Sequence, residues 1–392
     1  MYRLFRVGIT ILCLSSSLAR AGADPFDLPH YETRYYQLYT DLDREQAREV
    51  AAHVTKMAEV YADRTRGFAG TIDRKFPLAV FKRMDDYLAT GAPKGTAGVF
   101  NGQELIAVAA DGELNARTWH TIQHEGFHQF ARAVIRGDLP VWVSEGLAEY
   151  FGEGVFTGDD LMTGVIPEWR RRRIVKTLDA GKFKSIDRML DTSLNEWNRE
   201  MQLANYDQAW SMVHFLAHGD GGKYQPAFVA YMNAIGRNVP RAAAFRQSFG
   251  DGGGFEDKWK TYWSSLPENP TDTVYRKATV ATLTSFLARA TAERQTFESF
   301  DAFARAGAGR TLLAPEGDDL PRSLLAQALD DAAGRREQGD AFEIVRAPNE
   351  KLPQLVVSAR DGANRLVGKF TLRGGHVGRV TVEGSEAPSR SR

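Results

Sequence analysis

Two histidines four residues apart, with a glutamate between them, constrain this chain more than any other feature of its sequence. His124-Glu125-x-x-His128 is followed after sixteen residues by Glu145. Side chains four residues apart share one face of a helix, so His124 and His128 are spaced to bind one metal ion. Glu125 then lies beside the metal, where it can take a proton from a metal-bound water. A catalytic zinc ion needs a third protein ligand, and Glu145 is the best candidate.

Length and composition indicate an exported globular protein. The chain has 392 residues, of which 43% are hydrophobic and 26% charged, as expected for two or three soluble domains. Arg3, Arg6, an apolar run at 7–14 and small residues near Ala23 predict a signal peptide over residues 1–23. A retained N-terminal anchor is the alternative, although that run is shorter than the ~20 residues that span a bilayer. We expect a periplasmic or extracellular protein with no stable membrane insertion after signal removal.

Cysteine content and charge exclude several classes of site. Cys13, the only cysteine, lies within the predicted signal, so the mature chain has no disulfide and its zinc ligands must be His, Glu or Asp. Losing the signal removes three of the 50 basic residues and leaves 47 against 50 acidic residues. This balance predicts no binding of nucleic acid and no attraction to anionic membranes. We interpret the run Arg170–Arg173 as a solvated helix face, with an anion contact as the alternative.

The patterns before and around the metal motif alternate between strands and helices, which predicts an α+β fold. Period-two segments predict strands at 35–40, 76–81, 97–100 and 104–109, the last two joined at Asn101-Gly102. A long helix between the first two strands is expected to be capped by Asp41 or Asp43. The metal helix is expected from Asn115 to Arg136, and a second helix after Pro140 carries Glu145 and Glu149.

The C-terminal part of the chain is expected to form a separate, smaller domain. Residues 170–263 read as mainly helical, and the Pro-rich segment 266–271 is the clearest linker. An accessory domain is predicted at 273–384, first helical and then, from 341, a meander of short strands with turns at Asp361-Gly362 and Gly374-Gly375. Residues 385–392 are polar and are predicted to be a disordered tail.

The metal motif and its downstream segment together resemble the gluzincin metallopeptidases, whose best-known members are thermolysin and the aminopeptidase N family. The similarity rests on His124-Glu125-x-x-His128, the spacer, and Trp142-x-x-Glu145-Gly-Leu-Ala-Glu149-Tyr-Phe. The chain is still more similar to a bacterial family of exported gluzincin-like proteins known chiefly as a domain of unknown function. The specific resemblance covers residues 120–216. It implies a zincin-like catalytic domain at 24–266, with a small mixed sheet, the metal helix and a mainly helical second half.

The resemblance also implies a role for each residue of the motif. His124, His128 and Glu145 would bind one Zn2+ ion, and Glu125 would be the catalytic general base. Glu149 is similar to the acidic residue that holds a ligand histidine by its second nitrogen, since a ligating imidazole needs its other N–H fixed. An ordinary acidic helix face is the alternative for Glu149.

Peptide hydrolysis also needs a hydrogen-bond donor for the developing oxyanion, and two residues downstream of Glu145 are candidates. Tyr206 is similar to the aminopeptidase N tyrosine with this catalytic role, which suits a phenol that is neutral at pH 7. A packed helix tyrosine is the alternative, and His214 competes because thermolysin uses a downstream histidine. His120, His214 and His218 are otherwise interpreted as structural. An imidazole at His120 lies about 12 Å along the helix from His128, too far to share its ion.

The substrate is expected to be a peptide or protein, but its mode of cleavage stays open. Aminopeptidases of this type carry a Gly-x-Met-Glu-Asn loop that anchors the substrate amine, and this sequence has Thr90-Gly-Ala-Pro-Lys94 upstream instead. In gluzincins, extended substrate pairs with the strand before the zinc helix, here predicted to be Glu104–Ala109. Two functions follow: an exported zinc peptidase, endo- or exo-acting, or a catalytically inactive, zinc-stabilised protein that binds peptides or the envelope. The oligomeric state stays open.

Overall fold

The computed structural model describes residues 26–109, 112–200, 202–318, 320–346, 350–360 and 364–386. These residues form a mixed α+β protein, 53% helix and 16% strand, with a small sheet and a β-rich C-terminal region, so the predicted α+β class is confirmed. The predicted signal peptide, the turn expected at Asp361-Gly362 and the tail after residue 386 lie outside the described residues. In the described part of the chain, no helix is both long and apolar enough to cross a membrane.

The elements fall into two compact units. In chain order the strands are β1 (His30–Glu32), β2 (Tyr36–Thr40), β3 (Phe76–Phe81), β4 (Gly98–Phe100), β5 (Leu105–Val108), β6 (Val155–Phe156), β7 (Leu161–Met162), β8 (Ala341–Val345), β9 (Gln354–Ser358), β10 (Asn364–Arg373) and β11 (His376–Glu386). The helices are α1 (Arg44–Thr65), α2 (Met84–Ala89), α3 (Ala116–Val134), α4 (Val141–Gly152), α5 (Glu168–Asp179), α6 (Ile186–Asp191), α7 (Leu194–Glu200), α8 (Leu203–His218), α9 (Gln225–Gly236), α10 (Arg241–Phe249), α11 (Gly252–Ser265), α12 (Asp272–Ala292), α13 (Phe300–Ala308) and α14 (Arg322–Glu337), with a 3-10 turn at Gly219–Gly222. The first unit comprises the chain up to Gly154 and Thr163–Pro270, and the second comprises Val155–Met162 and the chain from Thr271.

The sheet of the first unit has an antiparallel strand at each edge. Among the described residues its order is β1-β2-β3-β5-β4, with β2, β3 and β5 parallel to one another. β1 and β4 run antiparallel to their neighbours. The predicted edge position of Glu104–Ala109 is therefore wrong, because the hairpin folds β4 onto the outer side of β5. The strand at this edge of the sheet is β4.

The turn of this hairpin lies one residue later than the sequence suggests. The Asn101 N–H donates to Glu104 O, so Gly102 and Gln103 are its central residues. Gly102 has a φ of 95°, a conformation that costs little only for glycine. The Asn101 side chain accepts from the backbone N–H groups of Gln103 and Glu104 and closes the turn. This turn brings β5 back alongside β4, and the metal-motif helix α3 packs against both strands.

α3 begins where the sequence predicts and packs closely on α1. The Asn115 side chain caps it by accepting from the backbone N–H of Arg117 and Thr118, and Asp43 caps α1 in the same way. α3 ends at Val134, two residues before the predicted end. A Cβ at Gly126 would lie 2.7 Å from Met57 Cε, so the end of the Met57 side chain would have to shift to admit a larger residue there.

α4 begins after Pro140, as predicted, and packs against α8. A Cβ at Gly146 would lie 2.5 Å from Ala209 O, so the glycine after Glu145 lets the two helices approach to backbone contact. Residues 170–263 are mainly helical, as the sequence indicates. α3, α4 and α8 are the elements that carry the predicted site residues.

The second unit combines α12 to α14 with a four-stranded antiparallel sheet, in the order β11-β10-β9-β8 among the described residues. The predicted meander is therefore confirmed, including its turn at Gly374 and Gly375, which have φ values of 59° and 85°. The hairpin β6–β7, which also belongs to this unit, was not predicted. Arg289 donates to both carboxylate oxygens of Asp159 in this hairpin, at 2.8 and 3.0 Å, and to Asp318 at 2.8 Å.

Candidate metal centre

Three side chains from α3 and α4 meet at one buried point. His124 Nε2 and His128 Nε2 are 3.2 Å apart, and Glu145 Oε2 lies 3.5 Å from the first and 3.7 Å from the second. The helix repeat alone brings the two imidazoles together, while the packing of α4 on α3 supplies the carboxylate. All three residues are less than 9% exposed. We call His124, His128 and Glu145 the inner group.

The spacing of the inner group fits a zinc ion. Ligand atoms around a tetrahedral zinc with bonds of about 2.0–2.1 Å lie roughly 3.3–3.4 Å apart, close to the three distances observed. Within the described residues, neither carboxylate oxygen of Glu145 has a hydrogen-bond partner, although both are buried. Buried polar atoms normally have partners, and two imidazoles with a carboxylate are a donor set that suits zinc. The residues present therefore fit the metal that the sequence implies.

The electrostatics of the inner group favour a positive charge between its members. Burial lowers the pKa of His124, but the carboxylates of Glu145 and Glu149 outweigh this and raise it to about 10. Burial raises the pKa of Glu145, but His128 and His124 outweigh this and lower it to about 2. A buried carboxylate that stays ionised needs a cation beside it, whether a proton on a histidine or a metal ion.

The second nitrogen of each histidine also faces an oxygen. His124 Nδ1 lies 3.3 Å from Glu149 Oε1, at ion-pair distance but without the alignment of a hydrogen bond. His128 Nδ1 lies 3.2 Å from Ser144 Oγ. Such outer contacts fix the tautomer and the orientation of a ligating ring. Glu149 was a candidate from the sequence, whereas Ser144 was not identified there.

Glu125 lies on α3 beside the inner group and is also held by the sheet. Its Oε2 accepts a hydrogen bond of 2.9 Å from the backbone N–H of Phe100 on the edge strand β4. Within the described residues, its Oε1 makes no hydrogen bond. Burial raises the pKa of Glu125, although His124, His128 and the Phe100 N–H act in the opposite direction. Glu125 is thus a buried carboxylate with one oxygen anchored and a raised affinity for a proton.

Tyr206 on α8 is 8% exposed and lies in the electric field of the same carboxylates. Burial and the charge of Glu145 raise its pKa, with smaller effects of Glu149 and Glu125. The phenol is therefore neutral and its hydroxyl keeps its proton. The ring packs edge-on against Trp197, with centroids 5.1 Å apart.

The sequence left His214 as an alternative to Tyr206 for the oxyanion role, but its contacts make it unsuited to that role. Its Nε2 lies 3.2 Å from Gly164 O, which only accepts, so this nitrogen carries the proton. Its Nδ1 then accepts from the Tyr262 hydroxyl, also at 3.2 Å. Burial lowers the pKa of His214 to about 3, so the ring stays neutral with both nitrogens engaged. The structure thus favours a packing role for His214.

A second histidine–carboxylate group lies one helical turn away on the same two helices. His120 Nε2 is 3.5 Å from Glu149 Oε2 and 3.7 Å from Glu153 Oε1. Arg170 from α5 donates to both carboxylates at 2.7 Å, so a guanidinium already supplies their counter-charge. We call His120, Glu149 and Glu153 the outer group.

The interpretation of Arg170–Arg173 as a solvated face is wrong for its first member. Arg170 is 2% exposed, whereas the side chain of Arg172 is 61% exposed and pairs with Glu168. Arg173 joins Arg170 in binding Asp207 of α8. Arg170 and Arg173 are three residues apart and share a helix face, and that spacing was the signal that the run divides into buried and exposed members.

Residues 118–242 match the model of a family described as a protein of unknown function, DUF1570. The matched segment includes α4 and α8 and nearly all of α3. No curated protein matches the chain significantly. Over this segment the chain is therefore similar to a family whose description names no activity.

Proposed function

We propose that this protein is a zinc-dependent peptidase of gluzincin type, with a zincin-like catalytic domain. The observation that carries the proposal is the meeting of His124, His128 and Glu145 within 3.7 Å, with Glu125 beside them. The two buried oxygens of Glu145 without hydrogen-bond partners in the described residues support a bound cation. Geometry of this kind argues for a reaction class, because the fold alone does not define a function.

His124, His128 and Glu145 would hold the zinc ion. Bound there, the ion supplies a Lewis acid that polarises a peptide carbonyl and makes water more acidic. Glu125 accepts a proton from the attacking water at Oε1, since the Phe100 N–H holds Oε2. The raised pKa of Glu125 suits a group that must then release this proton to the leaving amine. Tyr206 keeps its proton and can donate to the oxyanion.

The edge strand β4 suggests how a peptide would lie. The Ala97 O and Asn101 N–H bond to β5, so in the alternating antiparallel pattern Gly98 and Phe100 direct their backbone groups away from it. Because the Phe100 N–H is bound to Glu125, an extended peptide can pair with the backbone groups of Gly98 and with the Phe100 C=O. This placement replaces the one expected along Glu104–Ala109. It accommodates internal and terminal cleavage alike.

The proposed setting is the periplasm or the extracellular space, and the proposed partner is a peptide or protein. The apolar run and small residues of 1–23 support export. The near balance of basic and acidic residues supports a protein that does not bind nucleic acid.

The deciding experiment compares the wild type with Glu125→Gln and a matched control, Glu113→Gln, which changes an exposed glutamate just before α3. Each protein is analysed for zinc content and incubated with a broad peptide library. We expect about one zinc per chain in all three and cleavage by the wild type and the control. Glu125→Gln should slow cleavage by about 100-fold or more, because it removes the general base.

Equal cleavage by Glu125→Gln, or a wild type that binds no zinc, would overturn the proposed mechanism. Stoichiometric zinc in a wild type that cleaves no peptide would instead support the alternative, a zinc-stabilised binding protein without turnover.

A further inference from the structure

Arg170 is a deeply buried charge of the first unit, 2% exposed, that the proposed reaction does not use. Its guanidinium donates to Glu149 Oε2 and to Glu153 Oε1 at 2.7 Å each, and its Nε donates to Asp207 Oδ1 at 3.1 Å. The Trp210 ring stacks on it, with 4.4 Å from the guanidinium carbon to the ring centroid. A buried arginine with three carboxylates is fully compensated, and its fork geometry leaves little freedom to any of them.

Glu149 connects this arginine to the inner group. One of its oxygens, Oε2, is bound by Arg170, while the other, Oε1, lies 3.3 Å from His124 Nδ1. Because the arginine fixes one oxygen, the carboxylate cannot turn away from the imidazole. The orientation of the His124 ring therefore depends on a residue two contacts away.

Arg170 also excludes a cation from the outer group. His120, Glu149 and Glu153 place three ligand atoms within 4.8 Å of one another, a spacing that could hold a metal ion. The guanidinium already binds the two carboxylates, so a divalent ion there would have to displace a buried positive charge. The outer group is therefore a support for the inner one rather than a second metal site.

We propose that Arg170 is a positioning residue for the metal centre: it clamps Glu149 so that Glu149 holds the His124 ring in the orientation that binds the ion. This inference rests on the proposed function, because it concerns the affinity of that site for zinc. Asp207 extends the clamp to α8, one residue after Tyr206.

The test is zinc affinity, measured by competition with a chromophoric chelator for the wild type, Arg170→Met, Arg170→Lys and Arg173→Met. Arg173 binds Asp207 and, among the described residues, forms no ion pair with Glu149, so Arg173→Met is the matched control. Arg170→Met should weaken zinc binding by about 10-fold or more, the range for loss of an outer-shell partner. Arg170→Lys should recover part of the loss, and the control should match the wild type.

Cobalt substitution supplies a readout that a merely structural role would not move. The visible spectrum of the Co2+ protein should change in Arg170→Met and not in Arg173→Met, because it reports the geometry of the ligands. Unchanged zinc affinity and an unchanged Co2+ spectrum in a folded Arg170→Met protein would overturn the inference.

If Arg170→Met does not fold, Arg170→Lys is combined with Glu149→Gln. Losses of zinc affinity that simply add would overturn the inference, and a double variant no worse than Glu149→Gln alone would support it. A wild type that binds no zinc would contradict the proposed function as well. A wild type that binds zinc, with variants that do not show the expected losses, would contradict only the inference about Arg170.

Discussion

The inner and outer groups use the same kinds of side chain on the same two helices, yet they are compensated in different ways. The inner group has two imidazoles and one carboxylate, and in the described residues no arginine or lysine contacts it. The outer group has one imidazole and two carboxylates, and Arg170 binds both carboxylates at 2.7 Å. Glu149 of the outer group connects the two, since Arg170 binds its Oε2 while its Oε1 lies 3.3 Å from His124 Nδ1.

The comparison shows that a metal site is recognised by its charge compensation as well as by its ligands. Both groups bring His and Glu atoms within 4.8 Å of one another, so composition and distance alone do not separate them. A carboxylate that already accepts from a buried guanidinium has its counter-charge, whereas Glu145 has only the imidazoles. The inner group is therefore the better site for a divalent cation.

The largest expected difference in zinc binding is between variants of Glu145, in the inner group, and of Glu153, in the outer group. Glu145→Ala should weaken zinc binding by more than about 100-fold, beyond what outer-shell changes cost, because it removes a ligand. Glu153→Ala should retain one zinc per chain. Elemental analysis after dialysis measures both, with circular dichroism as the control for folding. Zinc lost equally from both variants would break the distinction between the groups.

Adjacent residues on α8 relate to different groups, since the charge of Glu145 raises the pKa of Tyr206, whereas Asp207 binds Arg170. Tyr206→Phe should lower kcat by about 100-fold with zinc retained, as expected when one oxyanion donor is removed. Tyr31→Phe, at a tyrosine 38% exposed, is the matched control. Peptide cleavage under saturating substrate is the measurement. A lowered zinc content in Tyr206→Phe would contradict the assignment of this residue to catalysis.

Glu149 tests the link between the groups, because it belongs to the outer group and also lies 3.3 Å from His124 of the inner group. Glu149→Gln should weaken zinc binding between about 10- and 100-fold, since it loses a charged partner of His124. Chelator competition gives this value directly. An effect as large as that of Glu145→Ala would mean that Glu149 is itself a ligand, and no effect would separate the groups entirely.

Ser144 provides the same kind of support for the other histidine, but with a neutral hydroxyl. Ser144→Ala should weaken zinc binding by about 10-fold at most, at the lower end of outer-shell effects, because no ionic contact is lost. The measurement is again chelator competition, with Ser265→Ala as the control at an exposed helix end. A loss greater than that of Glu149→Gln would reverse the expected order of the two supports.

The smallest effect is expected at His120. His120→Ala should leave zinc content and affinity unchanged, because Arg170 compensates the outer carboxylates without it. Titration of the variant with zinc, followed by elemental analysis, is the measurement. A wild type that binds a second zinc, lost in His120→Ala, would show that the outer group is a metal site after all.

The features that follow from local periodicity could be predicted from the sequence. The helix repeat brings His124 and His128 together. Asp43 caps α1, as one of the two residues expected there, and Asn115 caps α3 where that helix was expected to start. The α+β class and the C-terminal meander follow from patterns of period two and 3.6. The approach of Glu145 to the histidines was predicted from spacing and resemblance, and α4 brings it to 3.5 Å from His124.

What could not be predicted depends on contacts between distant segments. Helical spacing places Arg170 and Arg173 on one face of α5, but which face is buried depends on Glu149 and Asp207 on other helices. The edge strand was misplaced for a similar reason, since a hairpin pattern does not say on which side its strands pair with β3. Ser144 was missed because a serine before a ligand glutamate has no signature of its own.

The hairpin β6–β7 has a consequence for dissecting the gene. The chain leaves the first unit after Gly154, contributes residues 155–162 to the second, and returns at Thr163, directly downstream of the helix that carries Glu145. A stop codon after Pro270 would delete the partners of this hairpin, among them Arg289, and leave Asp159 and an apolar ribbon without their cover. The first unit expressed alone is therefore expected to expose an apolar surface and to aggregate, unless residues 155–162 are also shortened to a plain loop.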